Sequence, residues 1–171
     1  SWPVLAPSVL ESGVLEELGE AVAGAERPLI ITSYLGREPA ATERLAALAE
    51  RWRVGVVEAS PAYMNLPSTH PCHLGDEAEG RLTEADLVLV LDCDVPWLPT
   101  LGEPCPGARV LHIDVDPLKV GMPLWHVPTT RAVQADGPAV LAQLAAYLAP
   151  REPDASLMAR RRTWLATGRA D

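Results

Sequence analysis

The sequence predicts an α/β domain, a doubly wound parallel sheet with helices on both faces (Rossmann-like), and three observations carry that reading. Short apolar runs alternate along the chain with segments of helical periodicity. The runs VVE and LVLVL are apolar without a polar alternate, as in strands covered on both faces. A length of 171 residues with 48% hydrophobic residues suits one sizeable core rather than two.

The elements follow in order. Ser8 and Glu11 have the spacing of a capping box, and Leu10, Val14, Leu18 and Val22 recur at helical spacing, which predicts a helix from about Val9 to Ala25. PLIITS, from Pro28 to Ser33, is a short apolar run rich in β-branched residues and predicts a strand. Pro39 suits a first helical position, ahead of Leu45, Leu48, Ala49 and Trp52 on one face. Further strands are predicted at Val54 to Glu58, Leu87 to Leu91 and Arg109 to Ile113, with a shorter one in AVQAD after Arg131. Pro138 then opens a closing helix, with Leu141, Leu144 and Leu148 on one face until Pro150 stops it. Most of the 17 prolines fall in connections, which makes these loops shaped rather than floppy. The expected organisation is an approach linker over 1–8, a central α/β domain over 9–149, and a linker or helix over 150–171.

A formal net charge of -9 opposes sequence-independent binding to nucleic acid or to an anionic membrane. The one basic run, Arg160, Arg161 and Arg162, sits in a net basic tail and reads as a solvated helix face or linker. Cys72, Cys93 and Cys105 are odd in number and irregularly spaced, the usage of reduced thiols in a cytoplasmic protein. No apolar run approaches the ~18 residues of a membrane span, and SWPVLAPS lacks the basic start of a signal peptide.

Ligands of open parallel sheets bind beyond the carboxyl ends of the strands, which directs attention to Ser33 to Arg37, Glu58 to Tyr63, Asp92 to Asp94 and Asp114 to Asp116. The turn after the first strand is TSYLGR, with Gly36 alone rather than a glycine-rich phosphate cradle. Four aspartates crowd the same rim, with Arg37 as the one cation identified nearby, so a diphosphate meets net repulsion. Those aspartates suit a hard cation such as Mg²⁺ or Ca²⁺, or equally the caps and turns that aspartate favours, Asp116 before Pro117 among them. His70, Cys72 and His73 form the one His/Cys cluster, without the second cluster that zinc needs. Ser60 lies in no G-x-S-x-G elbow and has no assignable base, so no self-contained catalytic set is present. Trp97 and Trp125, in proline-bounded segments, suit either an interface or core filling under a loop.

Taken in series, RPLIITSYLGR, HPCHLG, EADLVLVLDCDVPWLP and ARVLHIDVDPLKVGMPLWHVP, followed by ADGPAVLAQL, resemble the central domain of thiamine-diphosphate-dependent enzymes, especially the acetolactate-synthase-like branch. The resemblance covers about Val9 to Leu148. It implies a sheet of about six parallel strands. It also implies a parent lyase or transferase acting on 2-oxo acids or related carbonyl donors, assembled as a homodimer or homotetramer. In that family the flanking domains hold thiamine diphosphate and Mg, and the central domain is not where the carbon–carbon chemistry occurs. The family's Gly-Asp-Gly with later paired asparagines is absent, for ADG at Ala135 to Gly137 has no such partner. Some members hold FAD or ADP across this domain. The corresponding residues here are Thr32, Ser33 and Tyr34, with Gly36 and Arg37 in the same turn, and Asp114 and Asp116 near the fourth strand. Where FAD-binding relatives carry glycines, this chain has Ser33 and Tyr34, whose side chains occupy the space a pyrophosphate needs. The alternative expectation is a free-standing nucleotide-binding module using the same turn and the Asp114/Asp116 edge.

Overall fold

The computed structural model describes residues 6–122 and 127–167. Five parallel strands, β1 (Pro28–Thr32), β2 (Gly55–Glu58), β3 (Leu87–Leu91), β4 (Arg109–Asp114) and β5 (Arg131–Gln134), lie in the order β2-β1-β3-β4-β5. Register is continuous across the sheet: Ile30 pairs with Val56 on one side and Leu89 on the other, and Leu89 pairs with Leu111. Every residue of β1, β2 and β3 is buried, as two-sided covering of non-alternating apolar runs requires.

Right-handed crossovers fix which face each connection takes. The step from β1 to β2 runs opposite in direction to the later steps, so its helix, α2 (Pro39–Trp52), lies on one face with α1 (Ser12–Gly24) and α4 (Gly137–Leu148). The other face is covered by the short α3 (Glu79–Leu82) and by the irregular crossover from β3 to β4. Trp97 lies in that crossover and is buried, so it fills core under a loop; Trp125 and His126 lie outside the described residues. Each such buried apolar side chain contributes roughly 1.5–3 kcal/mol relative to exposure.

Three expectations change. Among the described residues the sheet has five strands, not about six. Beside the outer edge of β2, where a sixth would pair, HPCHLG makes only one bridge, His73 with Val56. The Cys72 N–H, which would extend the pairing, is taken by His70 Nδ1 at 3.2 Å, and past Leu74 the β2 partner shifts out of register, the Glu58 N–H donating to the Gly75 carbonyl. Next, Ser8 caps no helix: α1 starts at Ser12 after Glu11, and the Ser8 carbonyl instead accepts from the Asp136 N–H at 2.9 Å. Residues 6–11 are held against α4, with the Leu10 N–H donating to Gln143 Oε1 at 2.8 Å.

The third concerns the basic tail. Residues Ala155–Thr167 form α5, which packs on the domain through Leu157, Met158, Trp164 and Leu165. Arg160 and Arg162 are exposed, but Arg161 is completely buried. Its guanidinium donates to the carbonyls of Val22 (2.7 Å), Ala25 (2.9 Å) and Trp52 (2.6 Å), at the ends of α1 and α2. Helix C-termini leave carbonyls without partners and carry negative partial charge, and one buried cation answers both needs. Among the described residues, no helix is long and apolar enough to cross a membrane.

Candidate functional site

The site predicted at the carboxyl edge of the sheet is built where the strand order diverges, between β1 and β3. β1 delivers Thr32, Ser33 and Tyr34; β3 delivers Asp92, Cys93 and Asp94; β4 delivers Asp114 and, after one turn, Asp116. Asp92 takes a left-handed backbone conformation (φ 47°), which costs about 1 kcal/mol for a residue with a side chain. Its carbonyl thereby receives the Ser33 and Tyr34 N–H groups at 3.2 and 3.1 Å. Its carboxylate faces the start of α4, 3.2 Å from the Gly137 N–H.

The charges on this edge are matched to one another. Arg37, from a single 3₁₀ turn over Leu35–Arg37, bridges Asp92 at 2.5 Å and Asp136 at 2.9 Å. Lys119, which the sequence reading did not identify, folds back from the loop after β4 to meet Asp94 at 2.7 Å and Asp114 at 3.0 Å. It is nearly buried. The Tyr34 hydroxyl donates to the other Asp94 oxygen at 2.8 Å. Asp114 also accepts the Asp116 N–H at 2.8 Å, so Asp116 forms the turn that its place before Pro117 predicts. Its own side chain is exposed.

Proton affinities follow from this packing. Burial pushes the Asp92 carboxyl up to about 6, against the pull of Arg37. Burial also lifts the Cys93 thiol to about 11, against the pull of the Ser33 hydroxyl oxygen that it meets at 3.1 Å. A protonated, inaccessible thiol is no nucleophile. For Asp94, burial is outweighed by the hydrogen bonds from Lys119 and Tyr34, and its pKa falls. For Lys119, burial is outweighed by its bonds to Asp94 and Asp114, which raise its pKa.

The predicted turn residues also face inward, although the Thr32 hydroxyl has no hydrogen-bond partner among the described residues. Thr32 and Ser33 are buried, and the Ser33 hydroxyl donates to the Ala59 carbonyl. Gly36 serves close packing rather than a phosphate: a Cβ there would stand 2.2 Å from the Met64 carbonyl oxygen. ADG caps a helix, with Asp136 accepting from the Ala139 N–H at 3.0 Å. Away from this edge, His73 pairs with Glu58 at 2.9 Å and Cys72 is buried. No group of metal-ligating side chains occurs among the described residues.

A cavity of about 290 Å³ remains between Tyr34, Arg37, Asp94, Asp114, Asp116 and Lys119. Its donor set does not fit a diphosphate, because both cations are engaged by carboxylates and the turn offers side chains instead of bare N–H groups.

A family model described as "Thiamine pyrophosphate enzyme, central domain" matches residues 15–144. The chain belongs to that family. The chain is 31% identical over 150 residues to the acetolactate synthase isozyme 1 large subunit of Escherichia coli, covering 81% of this chain and 25% of that one. A probable acetolactate synthase large subunit of Methanocaldococcus jannaschii is 26% identical over 166 residues, covering 88% and 26%. Among solved structures, the thiamine diphosphate-dependent 4-hydroxybenzoylformate decarboxylase of Rhodococcus jostii superposes with a TM-score of 0.69 at 23% identity, over 91% of this chain and 30% of that chain. That likeness establishes the fold. The chain spans about a quarter of the length of the curated relatives it matches.

Proposed function

We propose that this central domain is a spacing and assembly element of a thiamine-diphosphate-dependent lyase or transferase acting on 2-oxo acids or related carbonyl donors. In this reading it covers 9–149, joined through 1–8 and 150–171 to flanking domains that hold thiamine diphosphate and Mg in a cytoplasmic homodimer or homotetramer. The observation that carries the reading is the family match, together with a carboxyl edge whose charged groups are used on one another. Nothing in the chain matches the diphosphate and metal signature of those flanking domains, so the chemistry of the parent is assigned to them. Its test is the full gene product. Thiamine diphosphate and Mg should confer turnover of a 2-oxo acid on it, and a product with no cofactor dependence sinks the reading.

A second reading, a nucleotide-binding module, draws support from the cavity beside Asp114, whose carboxylate suits a ribose hydroxyl. Thermal unfolding with FAD, ADP, NAD and coenzyme A separates the two. The proposed structural role expects no stabilisation at millimolar ligand, whereas a saturable micromolar shift would put the nucleotide reading ahead.

A further inference from the structure

His112, in β4, is completely buried, and neither of its ring nitrogens has a hydrogen-bond partner among the described residues. Strand alternation says which way it faces. Arg109 and Arg131 both meet Glu17 of α1, so Arg109, Leu111 and Ile113 take the side of the helices, and Val110, His112 and Asp114 take the side under the crossover from β3 to β4. The charged groups that act on the ring are Asp94 beyond β3, Asp114 on its own strand and Lys119 from the loop after β4. The Cys93 backbone also lies beside it, and the thiol of that residue is protonated.

Burial pushes the His112 pKa below the ordinary histidine value, which keeps the ring neutral. A neutral imidazole carries one N–H and one lone pair, and here both go unused, a standing cost to the closed state. A proton raises that cost unless the new charge finds an anion. The anion at hand is Asp114, two residues along the strand on the same face, whose carboxylate is held by Lys119 at 3.0 Å. Lys119 is in turn the tether of its loop, reaching Asp94 as well at 2.7 Å, and a charged His112 repels it. We infer that His112 is an acid-sensitive latch: once protonated it takes Asp114 from Lys119, and the loop over 115–122, which walls the cavity at the carboxyl edge, is released. The sign follows from linkage. With the loop released the ring binds a proton at ~6.5 or above, while the closed form resists it. Below that value the released population therefore grows by about tenfold for each pH unit, and above it the latch stays closed.

Amide hydrogen exchange of the full-length gene product, read by mass spectrometry between pH 7.5 and 5.5 and corrected for the intrinsic pH dependence of exchange, tests the latch. Peptides over 115–122, in which the Lys119 and Met122 N–H groups are hydrogen-bonded, should lose protection about tenfold from pH 6.5 to 5.5 while β1 and β3 keep theirs. His112→Leu and His112→Gln should each abolish that dependence. Asp92→Asn, which removes a carboxyl that titrates at about 6, should leave it in place. Exchange independent of pH in the parent, the parent's dependence in both His112 variants, its loss in Asp92→Asn, or equal loss of protection from β3 would each overturn the inference. Should neither His112 variant fold, imidazole C2–H exchange of the parent decides. A His112 midpoint below 6.5 is expected, and one above 6.5 shows that the closed form accepts the proton and overturns the latch.

Discussion

Arg161 shows how one buried side chain can hold two helices. Its guanidinium reaches the carbonyls of Val22, Ala23, Ala25 and Trp52, and desolvation lowers its pKa to about 10. Arg161→Met keeps much of the volume but leaves those carbonyls without a partner. It should cost about 3 kcal/mol, read as a lower urea midpoint, and Arg161→Lys should recover only part of the loss because a point donor cannot serve a fork. Asp92 carries a pH signature of opposite sign to most carboxylates. Its folded pKa of about 6 lies above the ~3.9 of an unfolded chain. Between those values the native state binds more protons, so this group's contribution to stability falls as pH rises from about 4 to 6. Urea unfolding across that range should give a more positive slope of stability against pH in Asp92→Asn than in the parent, the difference being the Asp92 contribution set against Asp94 and Glu58, whose pKa values are lowered. An unchanged slope in the variant would exclude the linkage.

At the scale of elements, the turn after β1 and the loop after β4 are the parts that decide the site. Gly36 lets the 3₁₀ turn lie against the loop carrying Met64, which its Asn65 side chain fixes by accepting the Gly36 N–H at 2.9 Å. Gly36→Ala should destabilise by about 1–3 kcal/mol through overpacking against the Met64 carbonyl, measured by chemical denaturation. The loop after β4 returns Lys119 to the aspartates. Lys119→Met should leave the buried Asp114 without its cation, and Asp94, 43% exposed, with Tyr34 alone, a loss of roughly 3 kcal/mol that falls mainly on Asp114. Adding Asp94→Asn and Asp114→Asn to that variant should restore part of it, because the uncompensated charges are then gone.

For the molecule as a whole, α5 is part of the folded domain. Ending the chain at Pro150 would uncover Trp52, the start of β2 and the carbonyl ends of α1 and α2 together. The melting temperature should fall by about 10 °C or more relative to a chain ending at Thr167, and equal melting would show that α5 merely rests on the surface. Much of this architecture is legible in the sequence. LVLVL forms β3 over the predicted residues, Pro39 and Pro138 stand in the first turns of their helices, and the parallel arrangement follows from the alternation of runs. These features are local, set by periodicity, proline geometry and burial on both faces of a strand. The carboxyl edge was legible as a place where aspartates gather beside the turn carrying Arg37, but not in its pairings. Their partners come from the 3₁₀ turn, from a loop that doubles back, and from a helix start more than 40 positions beyond β3, at separations no local pattern encodes. The family membership, the strand positions and the aspartates at the strand ends were thus determined by the sequence itself. The burial of Arg161 and the capture of Asp94 and Asp114 by Lys119 were decided by the tertiary structure, because each depends on which distant backbone segments are brought within a few ångströms of one another.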